Sequence, residues 1–329
     1  MISAPIPIAM SSSNFLDFEK PIAELEKKID ELMKAASAGT GANVRAEITK
    51  LREKSNKALE DLYSSLDPWR RTKVARHQDR PHFSDYVEAL VKDYVPLCGD
   101  RVFGDDEAIQ GGIGRFRKQS CVLIGHEKGK TTDERLKHNF GMARPEGYRK
   151  AIRLMDMADK FRLPVISLVD TAGAYPGLDA EARGQAEAIA RCTDRCLTLG
   201  VPMIAVITGE GGSGGAVAIA SANKVIMLEN SIYSVISPEG AASILYRSNE
   251  KAKEAAVAMK IVPEDLMALG VIDEIIKEPL GGAHRHPATV IENVGKAIEK
   301  ALKGFAGMES AAIIRQRRER FLAIGRSLG

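Results

Sequence analysis

Hydrophobic periodicity divides the chain into helical ends and a middle of alternating strands and helices. Apolar residues recur at helical spacing in residues 14–34 and 44–66, and small residues at 37–43 separate the two stretches. Amphipathic helices joined in this way form a helical hairpin. We expect its apolar stripe to pack on a partner or on the main domain. Residues 289–328 are again helical by the same pattern.

Short apolar runs typical of buried strands alternate with longer helical stretches in the middle of the chain. The predicted strands are residues 119–125, 165–169, 203–207, 225–228 and 271–276. The predicted helices include residues 145–161 and 180–199. This alternation predicts an α/β domain in which helices cover a sheet.

The composition changes near Pro81, and we use that change to divide the chain. We predict a flexible N-terminus at residues 1–13 and the helical hairpin with a basic segment at 14–80. The main domain is predicted at 81–288, and a helical tail at 289–329.

A glycine-rich turn follows the predicted strand at 203–207. The strand is predicted to end at Thr208, and the glycines come next in the chain: Gly209, Gly211, Gly212, Gly214 and Gly215. A helix-like segment at 216–222 and a strand at 224–228 complete a βαβ-type unit. Glycines let a ligand approach the main chain closely, and free N–H groups at a helix start favour an anion or a developing oxyanion.

Three interpretations of this turn stay open from the residues alone: a tight packing turn, a phosphate or dinucleotide loop, and an oxyanion hole. The spacing is not G-x-G-x-x-G and no Lys-Ser/Thr pair follows, which argues against the phosphate loop. Ser213 in G-G-S-G-G resembles a nucleophile elbow. No histidine has a spacing that pairs it with Ser213, so a serine hydrolase is the weaker competitor.

The predicted strand that ends at Asp170 has the same layout. It runs into the Gly/Pro-rich loop at 171–177, and a helix follows. Two such turns, about 40 residues apart in successive α/β units, would lie on one edge of the sheet, where ligands bind in open α/β folds.

Charge and cysteine content exclude several classes of function. The net charge is +3, from 47 basic and 44 acidic residues, so neither nucleic-acid nor membrane binding is expected from bulk charge. No apolar run approaches the ~18 residues of a transmembrane span. Four cysteines in a chain without a signal peptide indicate a reducing cytoplasm and no disulfide framework.

The candidate metal ligands are few. Cys192 and Cys196 are four residues apart on a predicted helix but lack a second pair, so we interpret them as ordinary thiols. His284 and His286 lie in a Gly/Pro turn without further ligands, and a solvated loop is the favoured interpretation. No metal site is predicted.

Two segments are strongly basic, residues 69–80 and residues 315–320. We interpret the first as a solvated face or ordinary salt bridges, with recognition of an anionic partner group as the alternative. The second is interpreted as the solvated face of a helix.

Long motifs occur in a fixed order: ARHQDRP at 75–81, NFGMARPEGYRKAIRLM at 139–155, DTAGAYPGLDAEARGQAEAIAR at 170–191 and GEGGSGGAVAIA at 209–220. In these motifs the chain resembles the alpha subunits of the acetyl-CoA carboxylase carboxyltransferase of bacteria and plastids. The resemblance runs from residue 14 to about 285. It implies a crotonase-type (ClpP-like) α/β fold, a superhelix of ββα units with an N-terminal helical extension.

The resemblance also implies a function and partners. In this family the alpha subunit pairs with a beta subunit (α₂β₂) and moves a carboxyl group from carboxybiotin, held on a biotin carboxyl carrier protein, to acetyl-CoA. The product is malonyl-CoA for fatty-acid synthesis, and ATP is used by the partner biotin carboxylase. The alpha-type half mainly cradles biotin. The beta-type half holds much of the coenzyme A and the family's zinc ribbon, so no metal is expected on this chain.

Carried over by position, Gly211 and Gly212 look like the amide pair that stabilises the ureido oxyanion as CO2 leaves. The other cofactor-binding positions lie on the same two turns: Gly173, Ala174, Tyr175, Gly214 and Gly215. Amide-lined holes stabilise each oxyanion of the reaction, so no side-chain base is required. Ala172 stands where the family usually has proline, and the loop can therefore be less rigid.

The residues also allow two other classes of function. A free-standing crotonase-type enzyme, such as a hydratase, needs a pair of acid/base carboxylates; Glu210 and Glu239 are the loop glutamates available, and nothing in the sequence pairs them. A scaffold or nucleic-acid-binding role would use the two basic segments, and the small net charge argues against it.

Overall fold

A computed structural model of the protein describes residues 15–37 and 42–326. The predicted flexible N-terminus at 1–13 and the centre of the predicted hairpin loop at 37–43 lie outside the described residues. None of the described helices combines the length and the apolar character needed to span a bilayer.

The N-terminal hairpin is confirmed. After a 3₁₀ turn, Asp17–Glu19, helix α1 (Lys20–Ser37) packs against helix α2 (Ala42–Tyr63). An ion pair fixes its base to the main body, because the Arg285 guanidinium donates to the Glu26 carboxylate at 2.8 Å.

Twelve further helices are described: α3 (Pro68–Ala75), α4 (Phe83–Leu90), α5 (Thr132–Lys137), α6 (Pro145–Phe161), α7 (Leu178–Ala182), α8 (Gln185–Thr198), α9 (Ser213–Ala220), α10 (Pro238–Tyr246), α11 (Ala252–Ala258), α12 (Pro263–Ala268), α13 (Pro287–Lys303) and α14 (Ser310–Ala323). The strands are β1 (Val91–Pro96), β2 (Ile109–Phe116), β3 (Gln119–His126), β4 (Val165–Thr171), β5 (Met203–Gly212), β6 (Lys224–Leu228), β7 (Ile232–Ser234) and β8 (Glu274–Ile276).

These strands form one mixed sheet in the order β1-β2-β3-β4-β5-β6-β8, with β7 paired to the far end of β5. The pairs β1–β2 and β2–β3 are antiparallel, and every pair from β3 onward is parallel. The predicted α/β class is therefore confirmed. All five predicted strands are present, whereas β1, β2 and β7 were not predicted.

Both faces of the sheet are covered. Helices α6, α8 and α9 bury one face through Leu154, Cys192 and Ile219, and α4 and α13 bury the other through Phe83 and Val294. Each large apolar side chain buried in this way contributes about 1.5–3 kcal/mol. Because α13 belongs to this core, the predicted tail is partly integral to the fold. The predicted domain boundaries stay predictions.

Strand β5 is longer than predicted. It continues past Thr208 to Gly212, because the glycines have neighbours on both sides: Gly211 lies opposite Thr171 in β4 and opposite Tyr233 in β7. A single-strand pattern could not reveal β7, which supplies the extra pairing.

The predicted helix at 180–199 is two helices. It breaks between α7 and α8 at Gly184, which has a φ of +83°. Glycine adopts this left-handed conformation without the steric cost that other residues incur.

The interpretation of residues 315–320 as a solvated face is wrong at Arg317. Its side chain is fully buried, and it donates to the carbonyl oxygens of Cys196 at 2.8 Å and Leu199 at 2.6 Å. Helical spacing did place Arg315 and Arg318 outward, and both are exposed.

Candidate functional site

The two glycine turns meet at one edge of the sheet, as predicted. Strands β4 and β5 are parallel neighbours, so both carboxyl ends lie at that edge. A Cβ added to Gly212 would collide with the Ala172 carbonyl oxygen. A Cβ on Gly215 would lie 2.7 Å from the Gly173 carbonyl carbon and 2.8 Å from the Ala174 nitrogen. The turns therefore approach backbone to backbone, and only glycine fits at these positions.

The junction between β5 and α9 presents backbone donors. Gly212 is the N-cap of α9 and provides no side-chain cap, and Ser213 has a left-handed φ of +58°. The first-turn N–H groups of a helix have no intrahelical acceptor, and the helix dipole makes this end positive. The amides of Ser213, Gly214 and Gly215 are therefore suited to an oxyanion.

This geometry extends the predicted site. Gly211 lies within the sheet, whereas Gly212 lies at its end, and their role as the oxyanion pair stays a prediction. The Ser213 amide was missed. It was missed because the strand was predicted to end at Thr208, whereas β5 continues to Gly212 and α9 begins at Ser213.

The predicted facing wall is the loop after β4. The Thr171 hydroxyl accepts from the Gly173 N–H at 3.1 Å and donates to the Gly173 carbonyl at 2.7 Å, which forms a tight local turn. The Tyr175 N–H donates to the Ala143 carbonyl at 3.0 Å. The Arg144 guanidinium lies 4.5 Å from the centre of the Tyr175 ring. These contacts hold the loop in place.

A network of charged side chains contacts the glycine-rich end of β5, residues 209–212, which we call the glycine strand. Asp170 accepts from Lys128 Nζ at 2.6 Å and from the Glu210 N–H at 2.9 Å. Burial is the largest single effect and would raise the pKa of Asp170, but the charge and the hydrogen bond of Lys128 act with the hydrogen bond from the Glu210 N–H and with other nearby charge, and the pKa is lowered. This carboxylate therefore stays ionised and holds the β5 backbone in place.

Glu210 and Glu239 are brought together in the structure, contrary to the expectation that nothing pairs them. Arg76 donates to Glu210 at 2.7 and 2.9 Å and to Glu239 at 2.6 Å. Burial is the largest single effect and disfavours the ionised form of Glu239, but the hydrogen bond and the charge of Arg76 act together with further hydrogen bonds, and the pKa of Glu239 is lowered. Carboxylates bound to one guanidinium do not suit the proton transfers of a hydratase.

The basic segment at 69–80 is explained by such contacts. Arg71 pairs with Glu264. Arg80 pairs with Glu278 at 2.8 Å, and the side chains of Arg80 and Glu278 are almost completely buried. The interpretation as ordinary salt bridges is confirmed for these arginines.

Among the described residues, the contacts of His82, His126, His138 and His284 include no hydrogen bond to Ser213. His126 and His284 are buried, and neither ring has a hydrogen-bond partner within the described chain. His82 and His138 contact backbone carbonyls. Burial lowers the pKa of His126 to about 3, so this ring is neutral near pH 7.

The solvated-loop interpretation is wrong for His284. The ring is 6% exposed and stacks on His77 with 3.9 Å between ring centroids. Its loop does form the predicted turn, with left-handed φ values at Gly281 and Gly282.

Residues 15–37 and 42–326 contain no cluster of three or more His, Cys, Asp or Glu side chains that could hold a metal. Cys192 and Cys196 are fully buried free thiols, and the Cys196 Sγ donates to the Ala218 carbonyl at 3.3 Å. These cysteines are ordinary core residues, as interpreted.

The edge around the glycine turns exposes large apolar side chains. Leu178 follows the β4 loop and is 84% exposed, and Val235 follows β7 and is 79% exposed. Ile244 and Leu245 on α10 are also exposed. By contrast, a cavity of about 410 Å³ lies at the opposite end of the strands, next to Pro164. At the glycine site itself Gly211, Gly212 and Gly215 are buried, whereas Ser213 and Gly214 are half-buried.

Sequence comparison places the chain among known proteins. Residues 15–325 match the family model described as acetyl co-enzyme A carboxylase carboxyltransferase-like. The chain is 61% identical over 316 residues to the acetyl-coenzyme A carboxylase carboxyl transferase subunit alpha of Rhodopseudomonas palustris strain HaA2, covering 96% of this chain and 98% of the relative. The corresponding subunit of Nitrobacter winogradskyi is 62% identical with the same coverage.

Solved structures show the fold. The chain superimposes on transcarboxylase 12S with a TM-score of 0.55 and 20% identity, covering 68% of this chain and 42% of that one. It superimposes on a chain of a Pseudomonas malonate decarboxylase hetero-tetramer, in complex with coenzyme A, with a TM-score of 0.55 and 17% identity, covering 67% and 89%. The predicted crotonase-type fold is confirmed by these neighbours.

Proposed function

The chain belongs to the acetyl co-enzyme A carboxylase carboxyltransferase-like family and is a carboxyltransferase, and we propose that it forms one half of a split active site. In this proposal it is the alpha subunit that cradles carboxybiotin, while a separate beta subunit holds much of the acetyl-CoA. The observation that carries the proposal is the meeting of two glycine turns at the start of α9, on an edge of the sheet.

The donor set fits the urea group of biotin. Gly212 and Gly215 let the two turns lie backbone to backbone, which brings main-chain amides of both turns to the same place. Neutral N–H donors suit a ureido oxygen that is neutral in the ground state and becomes negative during transfer. When bound, carboxybiotin supplies the carboxyl group and then the base that activates the acetyl methyl group.

The residues of this chain bind and orient. We assign the amides of Gly211 and Gly212, with those of the first turn of α9, as donors to the oxygen that becomes negative. Gly173, Ala174 and Tyr175 form the facing wall, and Gly214 and Gly215 allow its close approach. Removing one donor from such a hole costs about 3–4 kcal/mol in measured cases, so these amides can supply a large share of the acceleration.

The partners follow from the same proposal. Leu178, Val235, Ile244 and Leu245 are exposed, and we assign them to the surface on which a beta subunit docks over the site. A biotin carboxyl carrier protein would deliver biotin, a biotin carboxylase would use ATP to load it, and malonyl-CoA would be released. The four free cysteines support a reducing cytoplasmic location.

The test is reconstitution. The chain is mixed with a cognate beta subunit, the complex is isolated, and malonyl-CoA decarboxylation is measured with biocytin as acceptor. We expect activity that requires both chains. A mixture that forms neither a complex nor an active transferase would refute the proposal, and activity of the isolated chain on an acyl-CoA would favour a free-standing enzyme.

A further inference from the structure

Glu210 is a buried carboxylate between two glycines of the candidate oxyanion strand. Its side chain is 5% exposed, and it lies between Gly209 and Gly211 in β5. Charges interact strongly where water is excluded. An unbalanced negative charge at this position would oppose the negative charge that the proposed reaction develops at the neighbouring amides.

Arg76 offsets this charge, and the triad of Arg76, Glu210 and Glu239 keeps one net negative charge. It follows directly after α3, and its Nε and Nη2 atoms donate to the two carboxylate oxygens of Glu210, at 2.9 and 2.7 Å. Such a two-point contact fixes orientation as well as charge. The same guanidinium binds Glu239 in the first turn of α10, so it joins α10 to the glycine strand.

The backbone around Glu210 is held independently of Arg76. Asp170 accepts from the Glu210 N–H at 2.9 Å, and Arg80 donates to the Thr208 carbonyl at 2.8 Å. Lys128 pairs with Asp170, and Glu278 pairs with Arg80. Among Arg76, Arg80 and Lys128, only Arg76 binds the side chain of Glu210 in these contacts. Removing Arg76 therefore changes the charge next to the glycines, while Asp170 and Arg80 still hold the backbone of β5.

We propose that Arg76 is a positioning residue for carboxyl transfer, which cancels the charge of Glu210 behind the oxyanion amides and fixes α10 against β5. The inference rests on the proposed function. It predicts that the charge at position 76 matters for the rate more than for substrate binding, because Arg76 acts through Glu210 and not on the substrate.

The experiment uses the complex with the beta subunit and the reverse assay, with KM and kcat measured separately for malonyl-CoA and biocytin. For Arg76→Gln we expect kcat to fall about 10- to 100-fold, with each KM within about threefold of the wild-type value; tenfold corresponds to ~1.4 kcal/mol. The double variant Arg76→Gln with Glu210→Gln removes both charges, and we expect it to recover at least tenfold of the lost rate.

Recovery separates electrostatic positioning from a structural role, since the double variant has even fewer native contacts than the single one. If Arg76→Gln lowers kcat and the double variant does not recover, charge cancellation is refuted. An unchanged kcat in an assembled Arg76→Gln complex would refute the inference as well.

Arg76→Lys decides the case if Arg76→Gln does not assemble. Lysine keeps the charge but loses the fork geometry, and we expect it to retain kcat within about tenfold. A loss beyond 100-fold in an assembled Arg76→Lys complex would refute the inference.

Arg71→Gln is the matched control. Arg71 lies on the preceding helix and also forms an ion pair, but with Glu264 on α12. We expect its kcat and KM to match wild type. An inactive wild-type complex would refute the proposed function and this inference together, whereas an active wild type with an indifferent Arg76 would refute only the inference.

Discussion

The two ends of the parallel strands each hold an arginine against the sheet, and the two arginines have different partners. At the amino ends, Arg317 donates to the backbone carbonyls of Cys196, Leu199 and Val201. At the carboxyl ends, Arg76 donates to the carboxylates of Glu210 and Glu239. Arg317 therefore binds neutral carbonyl groups of the main chain, whereas Arg76 binds charged carboxylates beside the main-chain amides of the glycine turns.

The pKa values of these arginines reflect the difference. Burial lowers the pKa of Arg317 to about 10, since its partners are mostly neutral dipoles. Burial also acts to lower the pKa of Arg76, but its hydrogen bonds to Glu210 and Glu239 outweigh that effect and raise it. We infer that the amino end serves stability, whereas the carboxyl end is organised for the electrostatics of a reaction.

The largest expected effect is at Gly212. In Gly212→Ala the new Cβ would collide with the Ala172 carbonyl, so the two turns must separate and the amides lose their alignment. We expect the reverse transferase rate of the assembled complex to fall at least about 100-fold. The assay is malonyl-CoA decarboxylation with biocytin.

Gly104→Ala is the matched control, because a Cβ there meets nothing within 4 Å. It should leave the rate unchanged. Wild-type activity in an assembled Gly212→Ala complex would show that the close approach of the turns has no part in catalysis. It would also contradict the inference that the carboxyl ends of the strands, unlike the amino ends, are organised for the reaction.

The next effect concerns stability at the amino end. Arg317→Leu leaves the buried carbonyls of Cys196, Leu199 and Val201 without their donor, at a cost of about 3–5 kcal/mol in unfolding free energy. Urea denaturation measures the loss, and kcat of the remaining folded complex should stay at the wild-type level. A large fall in kcat without a loss of stability would contradict the assignment of this end to stability.

The sequence predicted where the two loops of the site lie in the fold. It did not predict the side-chain contacts that hold those loops in place. The strand at 165–169 and the one at 203–207 were recognised from apolar runs, and parallel topology then required their following loops to share an edge. Local patterns carry this information. The fold type and the role of individual glycines came from the resemblance, not from periodicity.

Long-range side-chain contacts could not be predicted in the same way. Arg76 and Glu239 are 163 positions apart, and Arg317 is 121 positions from Cys196. A basic run has the same composition whether its arginines face water or enter a core. His284 was misread for this reason, because its burial depends on His77 from a distant segment.

A pH-dependent effect is expected at the carboxyl end. His126 has a pKa of about 3 when folded, well below its ordinary value, so between roughly pH 6.5 and 3 the unfolded chain binds a proton that the folded chain does not. The stability is therefore complete above that window and is lost as the pH falls through it. The loss from this group is about 1.4 kcal/mol per pH unit.

His126→Phe removes this titrating group and should lower the slope of unfolding free energy against pH between pH 5 and 6.5 by about 1.4 kcal/mol per pH unit, while the buried His284 keeps its own contribution of the same sign. Asp170 and Lys128 are the charged groups that act on the ring, and neither is changed. An identical slope in wild type and variant would show that His126 is not held neutral.

The smallest effect is expected at an exposed ion pair of the amino end. Lys300 on α13 lies 3.1 Å from the carboxylate of Glu274, and its side chain is 73% exposed. Solvent screens such a pair, and ordering both side chains costs entropy, so Lys300→Gln should lower the unfolding free energy by only about 0.2–1 kcal/mol. The difference should vanish in 1 M NaCl, where the Debye length is about 3 Å. A loss as large as that of Arg317→Leu would mean that burial does not decide which charges of this end hold the fold together.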